Sequence, residues 1–247
     1  MNETVTFSGE LKKIEPRRLL DIKKRDLVSE FFLVLSIFYN DLKSLTFFAV
    51  QVDKYFTVTN IQQISVATGE YGGLKSYLDR LIYGVIYEFF DFIKDSAEIV
   101  EMDEFKHIYN RLNIPQRQNW DTIVLIARDK LPEENINFLA ILKVIRNNLA
   151  FHYDQAAKVL KNGFIDFFVN DKKTPANEIA YYSTGNNMRE TRYFFADAAG
   201  QRSIESEIEK RTKIGAKDFK DRVNSVFEGL NMTIMALMKE FIRYRKN

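Results

Sequence analysis

The sequence predicts a mainly α protein, an antiparallel helical bundle with a small β-hairpin insertion. Apolar residues recur at three- and four-residue steps in four long segments, as they do on the buried face of an amphipathic helix. Only 4 prolines and 10 glycines interrupt the 247 residues, which favours long helices. A single pair of short aromatic segments is typical of strands. Because no internal repeat or linker divides the chain, we expect one domain over residues 1–247.

The first third of the chain predicts two long helices. Residues 1–15 show a brief apolar alternation that fits either a short strand or an extended arm. Pro16 then opens a long helical pattern. The segment Gly69–Gly73 lacks the lysine and the serine or threonine of a phosphate-binding loop, so it is interpreted as a turn, with a break at its last two glycines. A second helix is expected from about Leu74 to Val100.

Shorter helices follow, and then a third long one. Residues 101–113 and the segment Trp120–Lys130 each predict a short helix that a nearby proline ends. Pro132 opens the third long helix, which leads to Arg146. The core of the bundle is expected over about residues 17–170.

The last third of the chain predicts the hairpin and one more helix. The aromatic segments Ile179–Tyr182 and Thr191–Phe195 flank a run of turn residues, which predicts a β-hairpin over about residues 179–195. A long C-terminal helix is expected over about residues 203–244, where apolar residues again follow helical spacing.

Composition excludes several classes of site. The chain has no cysteine and 2 histidines, which rules out disulfides, thiolate metal sites, a cysteine nucleophile and a His-rich metal site. We therefore expect neither a metal nor another cofactor. A net charge of +2 is too small to indicate nucleic-acid binding by itself, so any basic surface that binds nucleic acid must be local. Six basic residues fit either a solvated face or a guide for an RNA strand: Lys158, Lys161, Lys172, Lys173, Arg189 and Arg192.

The sequence predicts neither export nor a membrane span. Residues 1–6 do not form a basic segment followed by an apolar one, so we expect no signal peptide. The most apolar stretch, Phe31–Tyr39, has about half the length that a bilayer requires and is interpreted as part of a core helix. The absence of cysteine fits a reducing compartment, and we expect a cytoplasmic protein without a membrane partner.

The strongest candidate for chemistry is the cluster Arg146-Asn147-Asn148 together with His152. It follows the apolar run Phe138–Ile145, and polar groups beside a core are costly unless they are paired or used. Histidine, with an unperturbed pKa of about 6.5, can transfer protons near neutral pH. Arginine stays charged and matches phosphate oxygens with two donors. A metal-free ribonuclease needs these two groups, because the ribose 2′-hydroxyl itself attacks the neighbouring phosphate.

This arrangement resembles the Arg-(four to six residues)-His signature of the HEPN superfamily of helical bundles, many of which are metal-independent endoribonucleases. The resemblance implies that Arg146 binds phosphate and that His152 is the catalytic acid or base. Asn147 occupies the polar position after the arginine, as in many members of the superfamily. The resemblance also implies an RNA substrate and a place in a toxin–antitoxin or phage-defence system, with an antitoxin or another protein as partner.

Further residues enter as supporting candidates. Asn148, Tyr153 and Asp154 are candidates for hydrogen bonds that support the site. The superfamily often has a polar or acidic residue on an earlier helix near the cleft, and Glu88, inside an otherwise apolar stretch, is the candidate for that position.

The spacing of the motif suggests a homodimer. On a regular α-helix, Arg146 and His152 differ by about 120° in direction and about 9 Å in rise, so they would not meet at one phosphate. Either the helix is distorted between them, or a second copy completes the site across a two-fold axis. The second arrangement resembles that of homodimeric HEPN proteins, whose motifs face one another across a symmetric cleft. We expect the Arg146–His152 region at or beside such an interface.

Two interpretations without catalysis stay open. A HEPN-like module could bind RNA, a nucleotide or a protein through the same cleft without turnover. Alternatively, Arg146 pairs with a carboxylate and His152 caps or packs at a helix end, so that the motif is structural. His107 lacks a comparable polar cluster and is interpreted as a surface or interface residue.

Overall fold

The computed structural model describes residues 11–21, 23–56, 64–128, 133–150, 156–170, 179–212 and 214–246. These residues form nine α-helices and two π-helical turns, which confirms the mainly α prediction. The helices are α1 (Pro16–Leu19), α2 (Leu27–Tyr55), α3 (Val66–Asp95), α4 (Asp103–Tyr109), α5 (Ile114–Ala127), α6 (Glu133–Ile145), α7 (Ala156–Ile165), α8 (Phe194–Arg211) and α9 (Ala216–Lys246). The π-helical turns are Arg146–Ala150 and Asp166–Asn170.

Side-chain caps define where several helices begin. Asp26 accepts a hydrogen bond from the backbone N–H of Ser29 at 3.1 Å and caps α2. Ser65 and Thr68 form a capping box at the start of α3. Asn113 and Gln116 form another at the start of α5, where Pro115 lies in the first turn. This cap moves the start of α5 upstream of the expected Trp120.

The core joins α2 to α3 and α9. Near the start of α2, Phe31 stacks on Phe92 of α3 at 5.0 Å between ring centroids, and Phe32 stacks on Phe241 of α9 at 4.2 Å. At the other end of α2, Asp53 contacts Lys75, early in α3. Helix α2 therefore runs antiparallel to both α3 and α9, and its apolar spacing places one face in this core.

Helix α2 is also, among the described residues, the one helix whose length and composition would suffice to cross a membrane. A core helix of a soluble protein passes the same test. The expectation of a core helix holds for Phe31, Phe32 and Leu35, which are buried. Leu33 and Ile37 lie on the opposite face and are exposed.

The expected break at Gly72-Gly73 was wrong, because both glycines lie inside α3. A Cβ built on Gly73 would lie 2.2 Å from the guanidinium of Arg192, and one on Gly69 would lie 2.7 Å from the ring of Phe194. These two glycines are one helical turn apart on one face of α3. They make room for the segment that leads into α8, so their role is close packing and not a turn.

The expected hairpin is present only as one antiparallel bridge, between Ser183 and Arg192. Their backbone groups exchange hydrogen bonds of 2.8 and 3.1 Å, and the described residues contain no strand. Phe194 and Phe195, expected in the second strand, begin α8 instead. Phe194 packs against Gly69 on α3. This tertiary contact stabilises the helix at Phe194 over the strand that the local pattern predicts.

The expected C-terminal helix over residues 203–244 is two helices, α8 and α9. The backbone of Thr212 is extended, and its hydroxyl donates a hydrogen bond to the carbonyl of Ile208 at 2.8 Å. This break allows α8 to pack on α3 and α7 while α9 packs on α2. Of the expected arm at residues 1–15, residues 1–10 lie outside the described residues, and residues 11–15 are not helical or in a strand.

Candidate functional site

The Arg146-Asn147-Asn148 cluster lies in a π-helical turn. Helix α6 buries Ile141, Leu142 and Ile145 completely, and the turn Arg146–Ala150 continues it with buried Leu149. A π turn holds an extra residue per turn, is rare in proteins and often occurs at functional sites. Here it leaves the polar cluster half-buried at the edge of the core instead of inside it.

Glu88 and Arg146 meet across two helices. Glu88 lies in α3, and its Oε1 accepts a hydrogen bond from Nε of Arg146 at 2.5 Å. Arg146 Nη1 donates to Oδ1 of Asn147 at 3.0 Å. The two bonds fix the plane of the guanidinium. The side chains of Arg146 and Glu88 are 29% and 39% exposed, so the pair can be reached from solvent.

A small cleft is lined by Tyr87, the neighbour of Glu88 in α3, although neither Glu88 nor Arg146 lines it. Its volume is about 200 Å³, and its polar lining residues are Tyr87, Asp91, Lys94 and Lys143. Burial raises the pKa of Tyr87, as does the charge of Asp91, while the charge of Arg146 acts in the opposite direction. Pockets for whole ligands usually measure about 300–1,000 Å³. The cleft is smaller than that range, so it does not enclose a whole ligand.

The structure brings together some of the predicted site residues. Glu88, Arg146 and Asn147 form one hydrogen-bonded set. Asn148 is half-buried and makes no side-chain hydrogen bond to other described residues. The remaining candidates, His152, Tyr153 and Asp154, lie outside the described residues.

Sequence reasoning missed the charged lining of the cleft. Asp91 and Lys143 received no role, although both lie at helical spacing from predicted residues. Asp91 follows Glu88 by three positions, and Lys143 precedes Arg146 by three. Residues three apart are neighbours on a helix surface, so this spacing was the signal that could have found them.

The candidates for an RNA guide are divided by the structure. Arg192 forms ion pairs with Glu70 at 3.1 Å and Asp197 at 2.9 Å, which ties the segment before α8 to α3. Lys158 and Lys161 are exposed on α7. Lys172 and Lys173, and the side chain of Arg189, lie outside what the structure describes.

Within the described part of the chain, no three histidine, aspartate or glutamate side chains come together as ligands for a metal ion. The polar set at the π turn has instead an arginine and an amide, which donate hydrogen bonds to anions.

No family model, curated protein or solved structure matches this chain.

Proposed function

We propose that this protein is a HEPN-like, metal-independent endoribonuclease. The observation that carries the proposal is the Glu88–Arg146 pair, which joins α3 to a π-helical turn and whose side chains remain 39% and 29% exposed. A guanidinium with a fixed plane is suited to two oxygens of a phosphodiester, because the fork of its donors matches their spacing.

In the proposed reaction, the ribose 2′-hydroxyl attacks the adjacent phosphorus, and the bond from phosphorus to the 5′-oxygen breaks. A base takes the proton of the 2′-hydroxyl, and an acid gives a proton to the leaving 5′-oxygen. Arg146 stabilises the negative charge that develops on the phosphoryl oxygens. His152 has the chemistry for a proton transfer. The products are a 2′,3′-cyclic phosphate and a 5′-hydroxyl, and no metal ion takes part.

Glu88 is the proposed positioning residue. Its carboxylate holds Nε of Arg146, and Asn147 holds Nη1, so these two bonds use two of the five N–H donors of the guanidinium. A guanidinium that is already oriented loses less entropy when phosphate binds. Glu88 acts through Arg146 in this account and does not touch the substrate.

The proposal includes a two-fold homodimer with the Arg146–His152 region at or beside the interface. A second copy would supply His152 to the phosphate that Arg146 of the first copy binds, as the spacing of the motif suggests. A toxin or phage-defence nuclease of this kind would be held inactive by an antitoxin or another protein partner.

The decisive experiment incubates the purified protein with mixed RNAs in excess EDTA and maps the ends of the fragments. We expect cyclic phosphate ends from the wild type. His152→Ala should lower the rate by about a hundredfold or more, and Arg146→Ala by a similar factor. Glu88→Gln should lower it by roughly tenfold, because the guanidinium is then less well oriented. Arg211→Ala is the matched control, since Arg211 makes a comparable ion pair with Glu207 on α8.

Equal cleavage by the wild type and His152→Ala would show that the assigned mechanism is wrong. Mixing Arg146→Ala with His152→Ala subunits tests the shared site, because a mixed dimer retains one intact composite site. Light scattering measures the assembly. An active protein that remains strictly monomeric would refute the composite arrangement.

A second candidate function is a HEPN-like binding module without nuclease activity. The observation that favours it is the ion pair itself, because Glu88 already balances the charge of Arg146. Such a module would bind RNA, a nucleotide or a protein partner saturably and without turnover. Arg146→Ala would then weaken binding and leave the thermal unfolding profile unchanged, and no fragments would form with any RNA.

A further inference from the structure

A large basic cleft lies at one end of the bundle, between α1, α4 and the last turn of α9. Its volume is about 780 Å³, and four arginines line it together with one acidic residue, Asp21. The arginines are Arg17, Arg18, Arg111 and Arg245. They come from three separate parts of the chain, so no local run of basic residues in the sequence predicts the cleft.

Two of the arginines, Arg245 and Arg18, make contacts that hold the sides of the cleft together. Arg245 bonds both carboxylate oxygens of Asp26, at 2.8 and 3.0 Å, and its Nη2 lies 2.7 Å from Glu104. Arg18 donates a hydrogen bond to the carbonyl of Lys246 at 2.6 Å. These contacts hold α1 and the start of α2 against the end of α9.

The other two arginines face solvent. Arg17 and Arg111 are exposed, and within the described part of the chain neither makes an ion pair. Asp21 is engaged by the backbone N–H of Lys23, at 2.9 Å, and not by either of these arginines. Two guanidinium groups that have no ion pair with a described residue, on one surface, favour an anionic ligand, because a charged fork is suited to phosphate.

Aromatic rings line the same cleft. The ring of His107 lies 5.3 Å from the ring of Tyr244, centroid to centroid. His107 is exposed and Tyr244 is half-buried against the core, so the tyrosine ring has a firm support. Planar side chains beside arginines provide surfaces on which nucleobases stack, and any of the bases can stack there.

We infer that this cleft binds a single strand of nucleic acid, with Arg17 and Arg111 on its phosphates and Tyr244 with His107 against a base. Its volume lies within the range of about 300–1,000 Å³ that is typical of ligand pockets. Lys23, Lys24 and Arg25, which follow Asp21 in the sequence, are exposed as well. A lipid surface fits less well, because the lining has no aliphatic side chain to enter the bilayer.

The test measures fluorescence anisotropy of the full chain with short labelled oligothymidylate DNA and oligouridylate RNA of equal length. DNA lacks the 2′-hydroxyl, so it reports binding even where RNA is cleaved. This inference therefore does not rest on the proposed function, and the failure of one does not decide the other. The RNA arm shows whether the ribose contributes. Vesicles that contain phosphatidylserine form a third arm.

We expect Arg17→Gln/Arg111→Gln to bind both strands about tenfold more weakly. The slope of log affinity against log salt should become shallower by about 1.4, because two phosphate contacts are lost on a single strand. Tyr244→Leu keeps an apolar side chain and should weaken binding by about fivefold through the loss of stacking. The matched control is Lys43→Gln/Lys217→Gln, which removes two exposed charges on α2 and α9 outside the cleft and should bind as the wild type does.

Wild-type affinity in Arg17→Gln/Arg111→Gln would overturn the inference. Equal weakening in the Lys43→Gln/Lys217→Gln control would also overturn it, because the effect would then be one of net charge. Vesicle binding that depends on Arg17 and Arg111, in the absence of oligonucleotide binding, would assign the cleft to a membrane surface instead.

Discussion

Two arginines, Arg245 and Arg146, each connect helices that are far apart in the sequence, but their surroundings differ. Arg245 is 19% exposed, ends the regular helix α9 and contacts two carboxylates, those of Asp26 and Glu104. Arg146 is more exposed, lies in a π-helical turn and bonds Glu88, whose side chain is 39% exposed. The comparison indicates that the first arginine is committed to holding the fold, whereas the second is positioned where a ligand can reach it.

Electrostatics strengthen the contrast. Burial raises the pKa of Asp26, but hydrogen bonds from Ser29 and the charge of Arg245 outweigh it and hold that pKa below its ordinary value. Burial raises the pKa of Glu104, and Arg245 offsets this only in part. Arg245 therefore lies between two partly buried carboxylates, whose side chains are 10% and 29% exposed. An arginine in such a place stabilises the fold chiefly because its loss would leave buried charges unpaired.

The largest expected effect is a difference in free energy of unfolding between Arg245→Met and Arg146→Met. Arg245→Met should lower the free energy of unfolding by about 3–5 kcal/mol, because it leaves Asp26 and Glu104 without a partner. Arg146→Met should lower it by less than about 1 kcal/mol, because its ion pair is partly exposed and screened. Urea denaturation followed by circular dichroism measures both. Similar losses for the two variants would remove the distinction between the two arginines.

A smaller effect is expected where Arg192, another arginine tied to two carboxylates, passes close to α3. Gly73→Ala should lower the free energy of unfolding by about 1–3 kcal/mol, because the new Cβ would collide with the guanidinium of Arg192. Gly72→Ala is the matched control: nothing lies within 4 Å of a Cβ there. It should raise stability by about 0.5–1 kcal/mol, since alanine favours a helix interior. The thermal midpoints of the two variants should therefore move in opposite directions. A shift in the same direction would contradict the packing of Arg192 against Gly73.

The smallest expected effect depends on pH. The folded pKa of Asp26 lies below the ordinary value of 3.8, so its charge stabilises the fold above that pH and ceases to do so as the pH falls through the folded pKa. Asp26→Asn keeps a capping oxygen and loses the charge. It should be less stable than the wild type by about 1–2 kcal/mol at neutral pH. Urea titrations at descending pH should show this gap closing below pH 3.8; a gap that persists in acid would mean that the charge of Asp26 is not the cause.

Local sequence was enough to predict that the chain is mainly helical and where most of its helices lie. Capping residues such as Asn113 with Gln116 act within one turn, and the apolar spacing of α2 and α3 reports a buried face wherever the helix packs. The polar cluster after Ile145 was also visible in the sequence, because polar residues interrupt a strongly apolar run. Glu88 was chosen by resemblance, and the structure does bring it to Arg146.

Only the tertiary structure decided the features that depend on distant contacts. Gly73 looks like a helix breaker until Arg192, more than a hundred residues away, is seen to occupy the space that a side chain would fill. The π turn at Arg146 has no local signature in the sequence. The basic cleft joins Arg17, Arg111 and Tyr244, each in an unremarkable local setting. Spacing along the chain reports neighbours within a helix, whereas a site assembled from several helices depends on how their faces pack.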